Sequence, residues 1–364
     1  MVAAGMSHSA PTMDSKDGSD KLGKRLLFRL SSFGDVVLCM AALEAPWVKE
    51  TRVPIDWVVA EEFSSLLEGH PRVSKVHCFA RKSGFRSWVG LCRQLWETNY
   101  VEVFDMHGSL RTRLARILFL LWSLNSGKPM PKWKVIGKQR LSHWGYFLLK
   151  GFWPKLWRPV PWREHFAKFV GGRGDEKPRL QHLLTSSTSA LGLANPPPYF
   201  CVMPSSRWRH KEWSHLNFLQ FIKSQKLLPV IMGTASDKAS QDLVNALKAE
   251  NLAFVSGVGI WSLKDSVGVI AKSKAFISND TGFFHVAEAV GVPALVIMGP
   301  TVPDSGFGPW STKSKAVGLP ILCRPCGKTG QFCHRIFARH SCLRELPVEK
   351  VAKAFSEITS AREL

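Results

Sequence analysis

The stretch from Ile277 to Thr301, ISNDTGFFHVAEAVGVPALVIMGPT, admits few folds. A short β-branched run leads into the polar turn Asp280-Thr281-Gly282. Alanines at helical spacing follow, with His285 one turn in, and a second apolar run ends in Gly299-Pro300-Thr301. That order is a strand-helix-strand unit of a parallel sheet. The polar turn therefore sits beyond the carboxyl ends of the strands, where open α/β sheets bind ligands. A helix starting near Asp280 leaves the N–H groups of Thr281, Gly282 and Phe283 without intrahelical acceptors, at the positive end of the helix dipole, so the turn suits an anion. The competing reading is that Asp280 serves only as an N-cap.

The chain of 364 residues is long enough for two domains. Arg25 to Leu30 (RLLFRL) predicts a strand, followed by the glycine turn Ser31-Ser32-Phe33-Gly34-Asp35 and a helix from about Val36. Pro54 to Ala60 and Val101 to Asp105 predict further strands, each followed by helical pattern. The stretch 171–198, which contains GGRGDEKP and NPPP, predicts the domain boundary. After it, Tyr199 to Met203 and Leu228 to Met232 predict strands of a second parallel sheet. The expected organisation is a first α/β domain over 23–180, a linker over 181–198, and a second over 199–364. The final helical segment, Pro347 to Thr359, is free to dock on either. Two such Rossmann-like domains facing one another would enclose a cleft.

Residues 1–22 are small, polar and aperiodic, and are expected to be a disordered tail rather than a signal peptide. The strongest apolar window, Leu114 to Leu124, is about half the length of roughly 20 residues that a membrane-spanning helix needs, which predicts a soluble, cytoplasmic protein. Charge is uneven: Arg81 to Arg179 holds 20 Lys plus Arg against 6 Asp plus Glu, and eight of the 14 tryptophans. Cations mixed with indoles suit an anionic membrane surface. Single-stranded nucleic acid is the rival partner, but the chain carries no nucleic-acid motif. A solvated basic face with its tryptophans in the core is the third reading. There is no G-x-G-x-x-G after the first strand and no G-x-x-x-x-G-K-[ST], which weighs against a dehydrogenase and an ATPase.

Of the eight cysteines, Cys39, Cys78, Cys92 and Cys201 lie in apolar stretches where free cysteine packs as a small hydrophobe. Cys323, Cys326, Cys333 and Cys342, with His334 and His340 nearby, invite a structural metal site, although the second pair is spaced widely for a zinc knuckle. Reduced, packed thiols are the alternative. No catalytic metal and no cofactor are expected.

Three segments, RLSSFGDVVLCMAALEA (Arg29 to Ala45), PSSRWRHKEW (Pro204 to Trp213) and SNDTGFFHVAEAVGVPALVIMGPT, together resemble the ADP-heptose:lipopolysaccharide heptosyltransferase family, glycosyltransferase family 9. The resemblance implies a GT-B architecture, with nucleotide sugar bound by the second domain and acceptor by the first. It implies metal-independent, inverting transfer of heptose from ADP-heptose to the lipopolysaccharide inner core, at the cytoplasmic face of the inner membrane. On this resemblance Ser205, Ser206, Lys211, Asp280, Thr281, Gly282 and His285 are donor-site residues, and Asp237 is a looser match for a ribose hydroxyl. Asp35 matches the proposed base, which inversion requires on the face opposite the leaving group. A carboxylate at a helix N-terminus is stabilised as the anion, which weakens it as a base, and Asp35 as a mere helix cap is the competing reading. Arg111 and Arg113 suit bidentate binding of acceptor carboxylates or phosphates. His107 is either an acceptor ligand or a packed core histidine. The alternatives are a related transferase with another nucleotide sugar or surface-glycan acceptor, and a non-catalytic basic protein that binds anions or nucleic acid.

Overall fold

A computed structural model of the chain describes residues 23–51, 53–152, 157–184, 188–327, 330, 331, 333, 335 and 337–360. The expected tail, Trp153 and His334 lie outside the described residues. The first half contains β1 (Arg25–Phe28), α1 (Phe33–Cys39), α2 (Pro46–Thr51), β2 (Ile55–Ala60), β3 (Val73–Phe79), α3 (Phe85–Glu97), β4 (Glu102–Asp105), α4 (Leu110–Ser126), β5 (Lys132–Val135), α5 (Arg140–Leu149) and α6 (Trp162–Phe169). The second contains β6 (Tyr199–Met203), α7 (His215–Lys223), β7 (Leu228–Ile231), α8 (Lys238–Ala249), β8 (Val255–Ser256), α9 (Leu263–Lys272), β9 (Phe276–Asn279), α10 (Gly282–Ala289), β10 (Ala294–Ile297), β11 (Lys315–Val317), α11 (Ser341–Arg344) and α12 (Val348–Ser360).

The strands form two wholly parallel sheets, in the orders β3-β2-β1-β4-β5 and β11-β10-β9-β6-β7-β8. Parallel strands covered by helices on both faces read as apolar runs, and β2, with every residue buried, does so apart from Asp56. The edge strands β3 and β5 instead carry polar residues at exposed positions, so they lack that signature.

One apolar core continues across the domain boundary: Val36, Val37 and Leu38 of α1 belong to the same cluster as Phe284, Val286 and Ala287 of α10. The outer faces have their own cores, centred on Phe28, Trp88 and Phe119 in the first half and on Phe200, Trp213 and Phe355 in the second. Helix α12 packs on the second sheet, against α7, β10 and β11. The connecting stretch 171–198 is irregular but anchored. Leu180, Leu183 and Leu191 are buried in the shared core, His182 Nε2 lies 2.8 Å from the Leu66 carbonyl, and the Trp261 indole donates to the Ala190 carbonyl.

Candidate active site

In each sheet the order reverses at one point, and a crevice opens where neighbouring strands send their chains to opposite faces. The reversal falls between β1 and β4 in the first sheet and between β6 and β9 in the second. These four strands are followed by the loops that carry Asp35, His107, Lys211 and Asp280. The two crevices face each other, because α1, which follows β1, packs against α10, which follows β9.

Asp35 is the third residue of α1, and its Oδ2 accepts from the Ser32 hydroxyl at 2.8 Å, the Ser32 N–H at 3.2 Å and the Arg29 guanidinium at 2.8 Å. The N-cap of α1 is Ser32, and Asp35 completes a capping box with it from the third helical position. Its Oδ1 takes no hydrogen bond among the described residues, so one carboxylate oxygen is held while the other is open. Burial pushes the carboxyl upward, but Arg29 and Ser32 outweigh it and hold Asp35 below the usual carboxylate range. Arg29 is itself fixed, donating to the Met106 carbonyl at 2.6 Å and lying over the Phe166 ring at 4.9 Å.

Across the boundary, the Asp280 Oδ2 accepts from the Lys211 ammonium at 2.6 Å and the Thr301 hydroxyl at 2.7 Å. The cap position of α10 belongs to Thr281, against the competing reading that Asp280 serves only as the N-cap. Asp280 instead orients a lysine. The N–H groups of Thr281, Gly282 and Phe283 have no acceptor among the described residues, as a helix N-terminus leaves them. The hydroxyls of Ser206 and Ser205 are engaged inside the protein: Ser206 donates to the Asp280 carbonyl at 2.9 Å, and Ser205 lies 2.7 Å from the Ser240 hydroxyl. His285 is buried beside Glu288, with Nδ1 3.5 Å from its carboxylate, and Glu288 also accepts from the Trp310 and Ser311 N–H groups. Asp237 is the N-cap residue of α8, in the loop after β7, and its Oδ2 accepts from the Thr234 N–H at 2.7 Å.

On the first domain, a cleft of about 420 Å³ opens beside the β4 and β5 loops, and among its lining residues are Gly108, Arg113, Lys138, Arg140 and Leu141. Arg113 lines it as expected. Arg111 does not: its guanidinium donates to the Arg81 carbonyl at 3.0 Å and covers the Phe79 ring. Sequence reasoning missed Lys138 and Arg140, whose signal was the polar GKQR run directly after β5. Gly108 has φ +58°, a left-handed backbone that favours glycine, and its Cα faces the end of the Lys138 side chain. His107 lies between this cleft and Asp35. Burial, with Arg29 and Lys138 nearby, pushes its imidazole down to about 4, so it is neutral at pH 7.

Cys323, Cys326, Cys333 and Cys342 are free thiols that line one narrow cavity with Pro300 and His340. Among the described residues no group of three or more His, Cys, Asp or Glu side chains is set to hold a metal ion.

Two Rossmann-like domains that face each other across their strand ends, with an open helix N-terminus on one and a carboxylate on the other, are the GT-B architecture. Residues 161–335 match the model of glycosyltransferase family 9 (heptosyltransferase). Lipopolysaccharide heptosyltransferase 1 of Pseudomonas aeruginosa is 27% identical over 327 residues, 83% of this chain and 86% of that protein. The enzyme of the same name from Escherichia coli O18:K1:H7 is 26% identical over 84% of this chain and 96% of its own length. Among solved structures, E. coli ADP-heptose lps heptosyltransferase II superposes with a TM-score of 0.71 at 18% identity, covering 94% of this chain and all of that one. E. coli heptosyltransferase WaaC with ADP gives 0.65 at 20% identity, over 92% and 99%. The chain is thus similar to glycosyltransferase family 9 over residues 161–335 and to lipopolysaccharide heptosyltransferases over most of its length.

Proposed function

We propose that this enzyme transfers heptose from ADP-heptose to the inner core of lipopolysaccharide, with inversion at the anomeric carbon and without a metal. The family and the names of its relatives support the donor and the pathway. The observation that carries the mechanism is the pairing across the boundary of an open carboxylate oxygen on Asp35 with the cationic turn of Lys211 and α10.

When the glycosidic bond breaks, negative charge gathers on the departing diphosphate, and fixed positive potential lowers that barrier. Lys211 has three donors, one of which is spent on Asp280, and the open N–H groups of Thr281, Gly282 and Phe283 add backbone donors. Asp35 Oδ1 takes the proton of the attacking acceptor hydroxyl as the new bond forms. Ser205 and Ser206 brace the loop under the donor, His285 supports α10 from behind, and Asp237 is assigned to a ribose hydroxyl. Arg113, Lys138 and Arg140 bind acidic groups of the acceptor, with neutral His107 beside them. The acceptor is lipid-linked, so the enzyme works as a peripheral protein on the cytoplasmic face of the inner membrane. No described helix is long and apolar enough to cross a bilayer.

Calorimetric titration with ADP, GDP, UDP and ADP-heptose, without divalent metal, is the test. Selective binding of the adenine ligands, with transfer to a delipidated inner-core acceptor, is expected. Preference for another base would assign the turn to a different nucleotide sugar, and the ADP-heptose reading would fall.

A further inference from the structure

The exposed apolar side chains of this protein are concentrated in one place. Of 21 large apolar side chains that stand exposed among the described residues, 13 fall between Leu110 and Val160, so the concentration is a surface feature and not scatter. On α4 they are Leu110, Ile117, Leu121 and Leu124, at steps of seven, four and three residues, which place them on one side of the helix. On α5 Leu141, Trp144 and Leu148 do the same, and Phe152 follows at 92% exposure. Buried residues Thr112, Ala115 and Phe119 occupy the opposite face of α4.

The charge of this segment has a single sign. From Met106 to Arg163 the chain has twelve Lys plus Arg and no Asp or Glu. The cationic cleft lies at the root of both helices, since Arg113 belongs to α4 and Arg140 and Leu141 to α5. Trp88, Trp96 and Trp162 are core residues, whereas Trp144 stands 67% exposed.

Resting on the function proposed above, we propose that the exposed faces of α4 and α5 dock this enzyme on an anionic lipid bilayer, with the cationic cleft at the headgroup plane. Amphipathic helices with cations beside an apolar face lie in such an interface, with indoles at headgroup level. The geometry lets a lipid-linked acceptor stay anchored while its acidic sugars reach Arg113, Lys138 and Arg140. A second copy of this chain fits poorly, because a two-fold contact would set this unbroken positive surface against itself. Nucleic acid would leave the leucines of α4 and α5 without a partner, since its bases need aromatic platforms.

The test is flotation of the full chain with vesicles of phosphatidylcholine, alone or with about one third phosphatidylglycerol. The Trp144→Glu/Leu148→Glu variant is compared with Ile260→Glu, an exposed site on the other domain. Wild type and I260E should bind the anionic vesicles, with a blue shift in tryptophan emission. The double variant should lose at least about tenfold in partitioning, as removal of two interfacial anchors implies. All three should transfer equally to a delipidated acceptor. Equal vesicle binding by all three would overturn the proposal, as would its replacement by self-association in sedimentation or by oligonucleotide binding that W144E/L148E abolishes. Failure of wild type to transfer to the delipidated acceptor would instead strike the proposed function and leave the vesicle result standing.

Discussion

Gly34 of α1 and Gly282 of α10 meet backbone to backbone across the domain boundary. A Cβ on Gly282 would lie 2.7 Å from the Gly34 nitrogen and 2.8 Å from its Cα, closer than atoms pack. Phe33 and Phe283 stack beside them with ring centroids 4.8 Å apart. The two helix N-termini therefore bring Asp35 and the anion turn together only because neither carries a side chain at the contact.

Gly282→Ala is accordingly expected to force the domains apart at this point. Overpacking of this kind costs about 1–3 kcal/mol, and turnover should fall together with the melting temperature. Small-angle scattering would report the wider boundary. Wild-type scattering, turnover and melting in this variant would show that the close contact is dispensable.

Asp35→Asn tests the base. Asparagine keeps the size of the side chain but cannot take the proton at Oδ1, so kcat should drop by about 100- to 10,000-fold, the usual range for a general base. Affinity for ADP should change little, because Lys211 and α10 lie on the other domain. A variant that turns over normally would reduce Asp35 to the capping-box residue that its Ser32 contacts already make it.

Much of this architecture was legible in the sequence because central parallel strands are buried on both faces. β6 is an unbroken apolar run and β2 is one apart from Asp56, and their ends were predicted within a residue or so. The edge strands β3 and β5 were not found, since VSKVHCF and KWKV carry charge and polarity on their exposed positions. The anion turn was visible in Asp280-Thr281-Gly282, whereas the role of Thr301 was not, because its contact with Asp280 spans 21 residues and depends on how β9 and β10 pair. Arg29 stood inside the first motif unremarked, since nothing in its spacing says that the guanidinium turns back onto Asp35. Arg111 was misjudged for the related reason that neighbouring helix positions point to different sides.

Lys211→Ala should weaken ADP by at least about tenfold, the loss of one charge-assisted contact of about 1.5–3 kcal/mol. The same change leaves the Asp280 carboxylate with Thr301 alone, so some loss of stability is expected as well. Lys211→Ala combined with Asp280→Asn separates the two effects. The second change should restore melting temperature while leaving ADP binding weak. Recovery of affinity in the double variant would mean that Lys211 acts only to neutralise Asp280.

Two histidines predict how stability depends on pH. Burial, with His182 and Arg72 nearby, holds His70 down to about 3, and burial, with Arg29 and Lys138 nearby, holds His107 down to about 4. The ordinary value is 6.5. As pH falls below that value the unfolded chain takes up protons that the folded chain refuses, so the unfolded state gains and stability declines. The contribution is therefore complete above 6.5 and is lost progressively down to the folded values. Well inside that window each histidine adds a slope of up to about 1.4 kcal/mol per pH unit. Asp35 has the same sign in a different window: its lowered carboxyl contributes above the ordinary carboxylate value and is lost only as pH falls beneath it. Urea midpoints measured between pH 8 and pH 5 thus report on the histidines, with His182 and His340 adding the same sign and the raised Glu212 opposing them, and His70→Gln should flatten the slope by about one proton. An unchanged slope would mean that His70 titrates alike in both states, and that its burial against His182 does not set the acid stability of this domain.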